Sequence, residues 1–185
     1  MEPDRQAEAG TALWPRVRDA SETDAPAITD LYNALIPSTT VTWTEDLDTV
    51  AHRLVWLRRQ RDEGLPVLVA EVDGAVVGFT AYEYFRGEGK WPGYRLTMEL
   101  SIHVAESHWG HGVGRALIDA LVERACGAGV HVLVAAIDGA NEASIRFHER
   151  LGFEVVGRMP QTGLKFGRWL DLVLMQRVLD DRERP

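Results

Sequence analysis

The sequence predicts an α/β protein: a single three-layer domain built around one mixed sheet. Three observations carry that reading. Apolar runs of strand length recur along the 185 residues and are separated by stretches with helical periodicity. The passage 95–138 reads strand, helix, strand, a βαβ unit whose crossover is right-handed and whose strands are parallel. A glycine-rich turn, "GHGVG" at 110–114, joins the first strand of that unit to its helix.

The bulk properties set the limits. A chain of 185 residues that is 45% hydrophobic can bury one substantial core, and two full domains would be cramped. The formal net charge of −8 argues against a nucleic-acid binder, which must neutralise phosphates, but leaves room for a small anionic ligand at a locally positive site. The lone Cys126 cannot form an internal disulfide. "MEPDRQAEAG" has no apolar run of the kind a secretory signal needs, and nothing approaches the roughly twenty apolar residues of a membrane span. A protein of the cytoplasm, with no membrane contact, is the expectation. Residues 1–14 read as a flexible tail, 15–180 as the domain and 181–185 as a polar tail.

Along the chain, "RVRDA" reads as a short strand. Ser21, with Asp24 three residues on, resembles a capping box and opens a helix with Ile28, Leu31, Tyr32 and Leu35 on one face. A second helix over about 48–62 carries Val50, Leu54 and Leu57 at helical spacing. "PVLVAEV", Asp73-Gly74 and "AVVGFTAYEYF" form a hairpin. In the strand 95–104, Leu96, Met98, Leu100, Ile102 and Val104 alternate with Thr97, Glu99, Ser101 and His103, so one face is apolar and the other polar. Taken alone, the polar face fits a surface strand equally well. The βαβ unit places the strand centrally instead, where a polar face lines a cleft.

The helix after the turn carries Val113, Leu117, Ala120, Leu121 and Arg124 along one stripe, and "VHVLVAAID" is the buried strand that follows. Asn141 caps a last helix that stops at Gly152, and "RWLDLVLMQRVL" closes the sheet. The turn itself has the form of an anion cradle. The first amides of a helix lack intrahelical partners and sit at the positive end of the helix dipole, glycines admit close approach, and Arg115 adds a charge. A plain tight turn is the alternative. A dinucleotide fold fails on spacing, because Arg115 or Leu117 stands where its third glycine should be, although Asp138 ends the next strand as a ribose-binding acid would. His108 and His111 have no third ligand in view, so no metal site is expected.

From Val17 to about Leu179 the chain resembles the GNAT N-acetyltransferases, and within them the phosphinothricin/methionine sulfoximine branch. The resemblance rests on "STTVTW", "YFRGEGKWPGYRLTMELSIHV", "GHGVGRAL", "AAIDGANEASIRFHERLGF" and "KFGRWLDLVLMQ". It implies a twisted, mostly antiparallel sheet flanked by helices. It implies an acetyl-CoA diphosphate on the amides of 110–115, among them His111, Gly112, Val113, Gly114 and Arg115, with the strand backbone at Ile102, His103 and Val104 and the residues Asn141 and Ser144 beside the rest of the cofactor. The sequence departs from the family pattern at Trp109 and His111, which stand where Arg or Gln and Arg are frequent.

Acetyl transfer to an amine needs a base, a polarised thioester and a proton for the departing thiolate. Glu99, on the polar strand face, is the candidate base, and the family carries a catalytic glutamate there; a structural carboxylate is the alternative. The resemblance also implies an N–H near Ile102 or His103 for the thioester oxygen. His148 stands where many relatives outside this branch have a tyrosine acid and where the phosphinothricin branch has histidine, yet it lies on an apolar helical face and fits a buried structural histidine equally well. Cys126 lacks a neighbouring base, which leaves direct transfer in a ternary complex. For the acceptor, the family uses an arginine at Arg86 for a carboxylate. Phe85, Tyr94 and Trp43 are weaker candidates for the acceptor wall, and Lys165 and Phe166 lie in a segment that reaches towards a partner subunit's site, implying a homodimer. A small amino acid-like acceptor is therefore expected. A polyamine, an aminoglycoside or a protein N-terminus remains the alternative, as does a non-catalytic acyl-CoA-binding module.

Overall fold

A computed structural model of the protein describes residues 15–87 and 91–182. The expected tail over 1–14, Lys90 of the acceptor loop and the last three residues of the expected C-terminal tail lie outside the described residues. The elements are β1 (Arg16–Asp19), α1 (Ala25–Leu35), α2 (Val50–Asp62), β2 (Val67–Val72), β3 (Ala75–Tyr84), β4 (Thr97–Val104), α3 (Val113–Gly127), β5 (Val132–Asp138), α4 (Glu142–Glu149), β6 (Glu154–Lys165) and β7 (Arg168–Val178). The strands form one sheet in the order β1-β2-β3-β4-β5-β7-β6, so β4 is the middle strand. Among the described strands only β4 and β5 run parallel.

Local chemistry explains most of these boundaries. The Asp24 carboxylate accepts the Ser21 amide at 2.7 Å, and a short 3₁₀ turn leads from there into α1. Asp73 and Gly74 both have positive φ, 52° and 78°, as a two-residue hairpin turn requires. The Asn141 side chain accepts the Ser144 amide at 3.0 Å and caps α4. Beyond the end of α4, Gly152 adopts φ 82°.

Two apolar layers sandwich the sheet. On one face, Leu117, Ile118 and Leu121 of α3 pack with Leu68, Tyr82, Leu100, Leu133 and Met175. Each such buried aliphatic side chain contributes about 2 kcal/mol. On the other, Ala25, Ile28 and Leu57 pack on Val67, Val69, Phe79 and Ala81.

Three expectations are corrected. The stripe read on α3 is shifted: Ile118 and Ala125 are buried, while Arg124 is exposed and pairs with Asp19 at 2.7 Å. The buried face of α2 is Arg53, Leu57 and Gln60, whereas Val50 is exposed. These polar side chains are partly satisfied, Gln60 Nε2 by the Tyr82 carbonyl at 3.1 Å and Arg53 by Asp48, while Gln60 Oε1 and Arg53 Nε have no partner among the described residues. Finally, the chain between Gly152 and Arg168 forms β6, a strand the sequence did not reveal. It is a largely exposed edge strand interrupted by two register shifts, so it carries no clean alternation.

Candidate active site

The site begins where the central pair of strands comes apart. β4 and β5 pair from Thr97↔Val132 to Leu100↔Ala135 and then separate, although β4 runs on to Val104 and β5 to Asp138. Leu96 O accepts the amides of His131 and Val132, whereas Thr97 O accepts Phe85 N–H and Ala105 N–H reaches Val77 O across the other edge. Even-numbered residues of β4 therefore turn their backbone groups towards β5, and odd-numbered ones towards β3. In the opened gap the amides of Ile102 and Val104 face no strand. The Val104 carbonyl is taken by the Trp109 indole N–H at 2.8 Å. Of the two residues considered for a free strand N–H, parity selects Ile102. His103 directs its backbone towards Phe79 on β3.

The glycine turn closes one end of this gap. Gly110 and Gly112 adopt φ 78° and 84°, conformations that glycine enters without strain. The first intrahelical bond of α3 is Ala116 N–H to Gly112 O at 3.0 Å, which leaves the amides of Val113, Gly114 and Arg115 without helical partners. Gly114 lets α3 approach α4: a Cβ there would come within 3.1 Å of the Phe147 ring. Gly110, Gly112, Gly114 and Arg115 line a cleft of about 820 Å³. Arg115 is exposed and pairs with Asp119 at 3.4 Å. His111 is exposed and does not line the cleft, and the Val113 side chain is in the core, so these two offer at most their amides.

The same cleft runs past Ile102, Val104, Asn141 and Ser144 to Glu99, Ser101 and His103, and ends at Tyr32, Thr42, Arg53 and Trp56. Glu99 is half-buried and makes no hydrogen bond or ion pair among the described residues. Burial pushes its pKa upward, and Glu83 directly across on β3 adds to the shift. Glu83 itself is engaged, by the Trp56 indole at 2.7 Å and Arg59 at 2.8 Å. His148 is 2% exposed, between Phe147 and Phe153. Its Nδ1 lies 2.9 Å from the Ser144 carbonyl, which only accepts, so Nδ1 carries the proton and Nε2 is an unpartnered acceptor. Burial depresses its pKa. Asp138 is held by Thr40 and by the Ala140 amide at 3.1 Å, so it serves to pin the 36–49 loop.

The expected acceptor residues lie elsewhere. Phe85 and Tyr94 meet edge to face at 5.5 Å and line a separate hollow of about 240 Å³ with Trp91 and Arg95. Arg86 donates to Tyr94 Oη at 3.3 Å and lies over its ring. None of the three lines the Glu99 cleft, because the chain turns away after β3 through Arg86 and Gly87, both with positive φ. Trp43 covers Gly163 of β6, where any Cβ would collide with the ring. Lys165 points into its own chain, donating to the carbonyls of Thr39 and Thr42 at 2.7 Å each. Sequence reasoning missed Arg53, whose guanidinium lies between the rings of Tyr32 and Trp56 at 4.5 and 4.8 Å. An arginine at helical spacing among apolar residues gives no signal that it turns inward. Among the described residues no group of three or more His, Cys, Asp or Glu could hold a metal ion, and no helix is long and apolar enough to cross a membrane.

The acetyltransferase (GNAT) family model matches residues 28–153, a span that includes the opened β4–β5 pair and the glycine turn. The chain belongs to the GNAT acetyltransferase family. This GNAT chain is 45% identical over 165 residues to the L-methionine sulfoximine/L-methionine sulfone acetyltransferase of Pseudomonas aeruginosa, covering 89% of this chain and 94% of that one. It is 36% identical to the phosphinothricin N-acetyltransferase of Alcaligenes faecalis, covering 89% and 82%. Among solved structures it superposes with a TM-score of 0.88 on a Salmonella typhimurium acetyltransferase bound to its cofactor acetyl-CoA, at 41% identity over 92% of this chain and 97% of that one. A Brucella melitensis structure described as a ribosomal-protein-alanine N-acetyltransferase gives 0.85 at 44% identity, covering 88% and 99%.

Proposed function

We propose that the protein transfers the acetyl group of acetyl-CoA directly, in a ternary complex, to the amino group of a small amino acid-like acceptor of the methionine sulfoximine, methionine sulfone or phosphinothricin type. The observation that carries this reading is the gap between β4 and β5, with a glycine-capped helix terminus at one end and the unpaired Glu99 along its wall. The residues present fit the cofactor. Three helix amides without helical partners suit a diphosphate, and Asn141 and Ser144 line the cleft beyond them.

Acetyl-CoA, when bound, supplies the activated acyl thioester. The Ile102 amide donates to the acyl oxygen and stabilises negative charge as it builds there. Glu99, its pKa raised, takes the proton from the acceptor's ammonium directly or through a water. His148 presents a bare Nε2 and donates through Nδ1 to Ser144, so as a neutral ring it has no proton to give the leaving thiolate. We assign it to positioning α4. As the acceptor nitrogen bonds the acyl carbon and the C–S bond breaks, the thiolate takes a proton from water, and the nitrogen's second proton passes to the hydroxide so formed.

The names of the curated relatives support the acceptor class. The test is thiol release from acetyl-CoA with methionine sulfone, methionine sulfoximine, phosphinothricin, spermidine and an alanyl peptide. Release with the first three is expected; release only with the peptide would shift the assignment to a protein N-terminus, the reading that the Brucella structure's description favours. We also assign a homodimer, supported by exposed apolar side chains on β6 and β7, and a cytoplasmic location, supported by the single cysteine. Fractionation of the native cells, probed with an antibody to the chain, tests the second.

A further inference from the structure

We infer that His103 is a specificity-determining residue whose ring donates a hydrogen bond to an oxygen on the acceptor's distal, oxidised sulfur or phosphorus. This inference rests on the acceptor class proposed above. The His103 side chain is 7% exposed yet lines the same cleft as Glu99, Ser101 and Ile102. Its ring is fixed by stacking on Phe79, with centroids 4.7 Å apart and planes 4° from parallel, and by Tyr32 at 5.3 Å. Neither Nδ1 nor Nε2 has a hydrogen-bond partner among the described residues. A buried imidazole with both nitrogens orphaned is an anomaly that an incoming ligand group resolves.

Burial and the nearby Arg53 hold the ring neutral, with a pKa of about 4, so at neutral pH it offers one N–H donor and one acceptor. A sulfone, sulfoximine or phosphinate oxygen takes that donor. A thioether sulfur is a weak acceptor and leaves the already buried N–H unpaired, so only the oxidised acceptor gains the hydrogen bond. The ring thus discriminates oxidised methionine from methionine. His103 shares the odd-numbered face of β4 with Glu99 and Ser101 and lines the same cleft, so the side chain of an acceptor whose amine is at Glu99 can extend along that face towards the ring.

The experiment compares kcat/KM for methionine sulfone and methionine in wild type, His103→Phe and His103→Gln. Wild type should prefer the sulfone by roughly 10- to 100-fold. The Phe variant, which keeps the stack, should bring the ratio close to one, and the Gln variant, which keeps a donor, should retain a preference. A folded Phe variant with the wild-type ratio, or one that slows both acceptors equally, overturns the inference. Should the Phe variant not fold, ¹⁵N NMR of the wild-type ring decides: methionine sulfone added with CoA should shift the His103 nitrogens, and no shift rejects the contact. If wild type acetylates neither acceptor while turning over a peptide or polyamine, the acceptor class fails and this inference with it.

Discussion

At Glu99, function and stability pull in opposite directions. Its pKa is raised because burial and the neighbouring Glu83 both penalise the charged form, and no residue described offers it a partner. A carboxyl whose folded pKa exceeds its unfolded value binds more protons folded than unfolded, so it removes stability as pH rises from the ordinary carboxylate range through the folded pKa. Glu99→Gln is therefore expected to lower kcat by roughly 100-fold or more near neutral pH, while raising the melting temperature there. The thermal gain should fade as the solution is acidified below the ordinary carboxylate range. Matched pH–rate and thermal-melt series check both, and an unchanged rate removes Glu99 from the base role. Glu83→Gln deletes the like charge and should move the acidic limb of the wild-type rate profile to lower pH; a limb that stays in place would mean that burial alone sets it. Glu99 was legible in the sequence because alternation along 95–104 and a following glycine turn give a strand polarity and an address. The orphaned ring of His103 and the inward guanidinium of Arg53 were not, since each depends on what packs against it across the sheet, through Phe79, Tyr32 and Trp56.

At the scale of elements, the β6–β7 hairpin acts as a strut for the loop between α1 and α2. Lys165 ties the Thr39 and Thr42 carbonyls, the Phe166 amide reaches Glu45 at 3.0 Å, and Gly163 leaves room for Trp43. Thr42 and Val41 of that loop line the cleft. Lys165→Met would leave two carbonyls without their donor, at a cost of about 2 kcal/mol or more, and would loosen the wall facing the acceptor. The expected result is a lower melting temperature and an acceptor KM that rises more than the acetyl-CoA KM. Equal rises in both would show that the lysine supports the fold without shaping the acceptor side. The βαβ core was readable because a helical period and two strand periods meet at a glycine turn, and the first hairpin because Asp73-Gly74 has one common use. The strut was not: β6 contains Pro160 with bulges around it, and its stability comes from pairing with β7 and from Trp43, contacts far away in sequence.

At the scale of the whole molecule, the hairpin presents a surface that a lone chain has little reason to keep. Leu164 and Trp169 pair across β6 and β7 on one face and are 56% and 63% exposed, and Phe166 at the tip is 41% exposed. Phe166 and Gly167 both have positive φ, 51° and 70°. That is the two-residue turn of a tight hairpin, and it strains a phenylalanine where asparagine or glycine would sit more easily. Strain together with exposed apolar area supports the proposed homodimer, with this tip as its contact. Lys165 is turned into its own chain with its ammonium 4.7 Å from the Phe166 ring centroid, so what this pair offers a neighbour is the exposed part of that ring. Leu164→Asp with Trp169→Asp puts two charges on that face; if the proposed homodimer forms there, light scattering during size exclusion should report the mass of two chains for wild type and of one for the variant. Far-UV circular dichroism should be unchanged, because neither side chain belongs to the core. If Phe166 serves the partner's acceptor site, the same variant should lose kcat/KM for the acceptor while its Kd for acetyl-CoA holds, since the glycine turn and the β4–β5 gap lie wholly within one chain. A variant that stays dimeric would place the interface elsewhere, and a monomer with full acceptor turnover would show that each chain completes its own site.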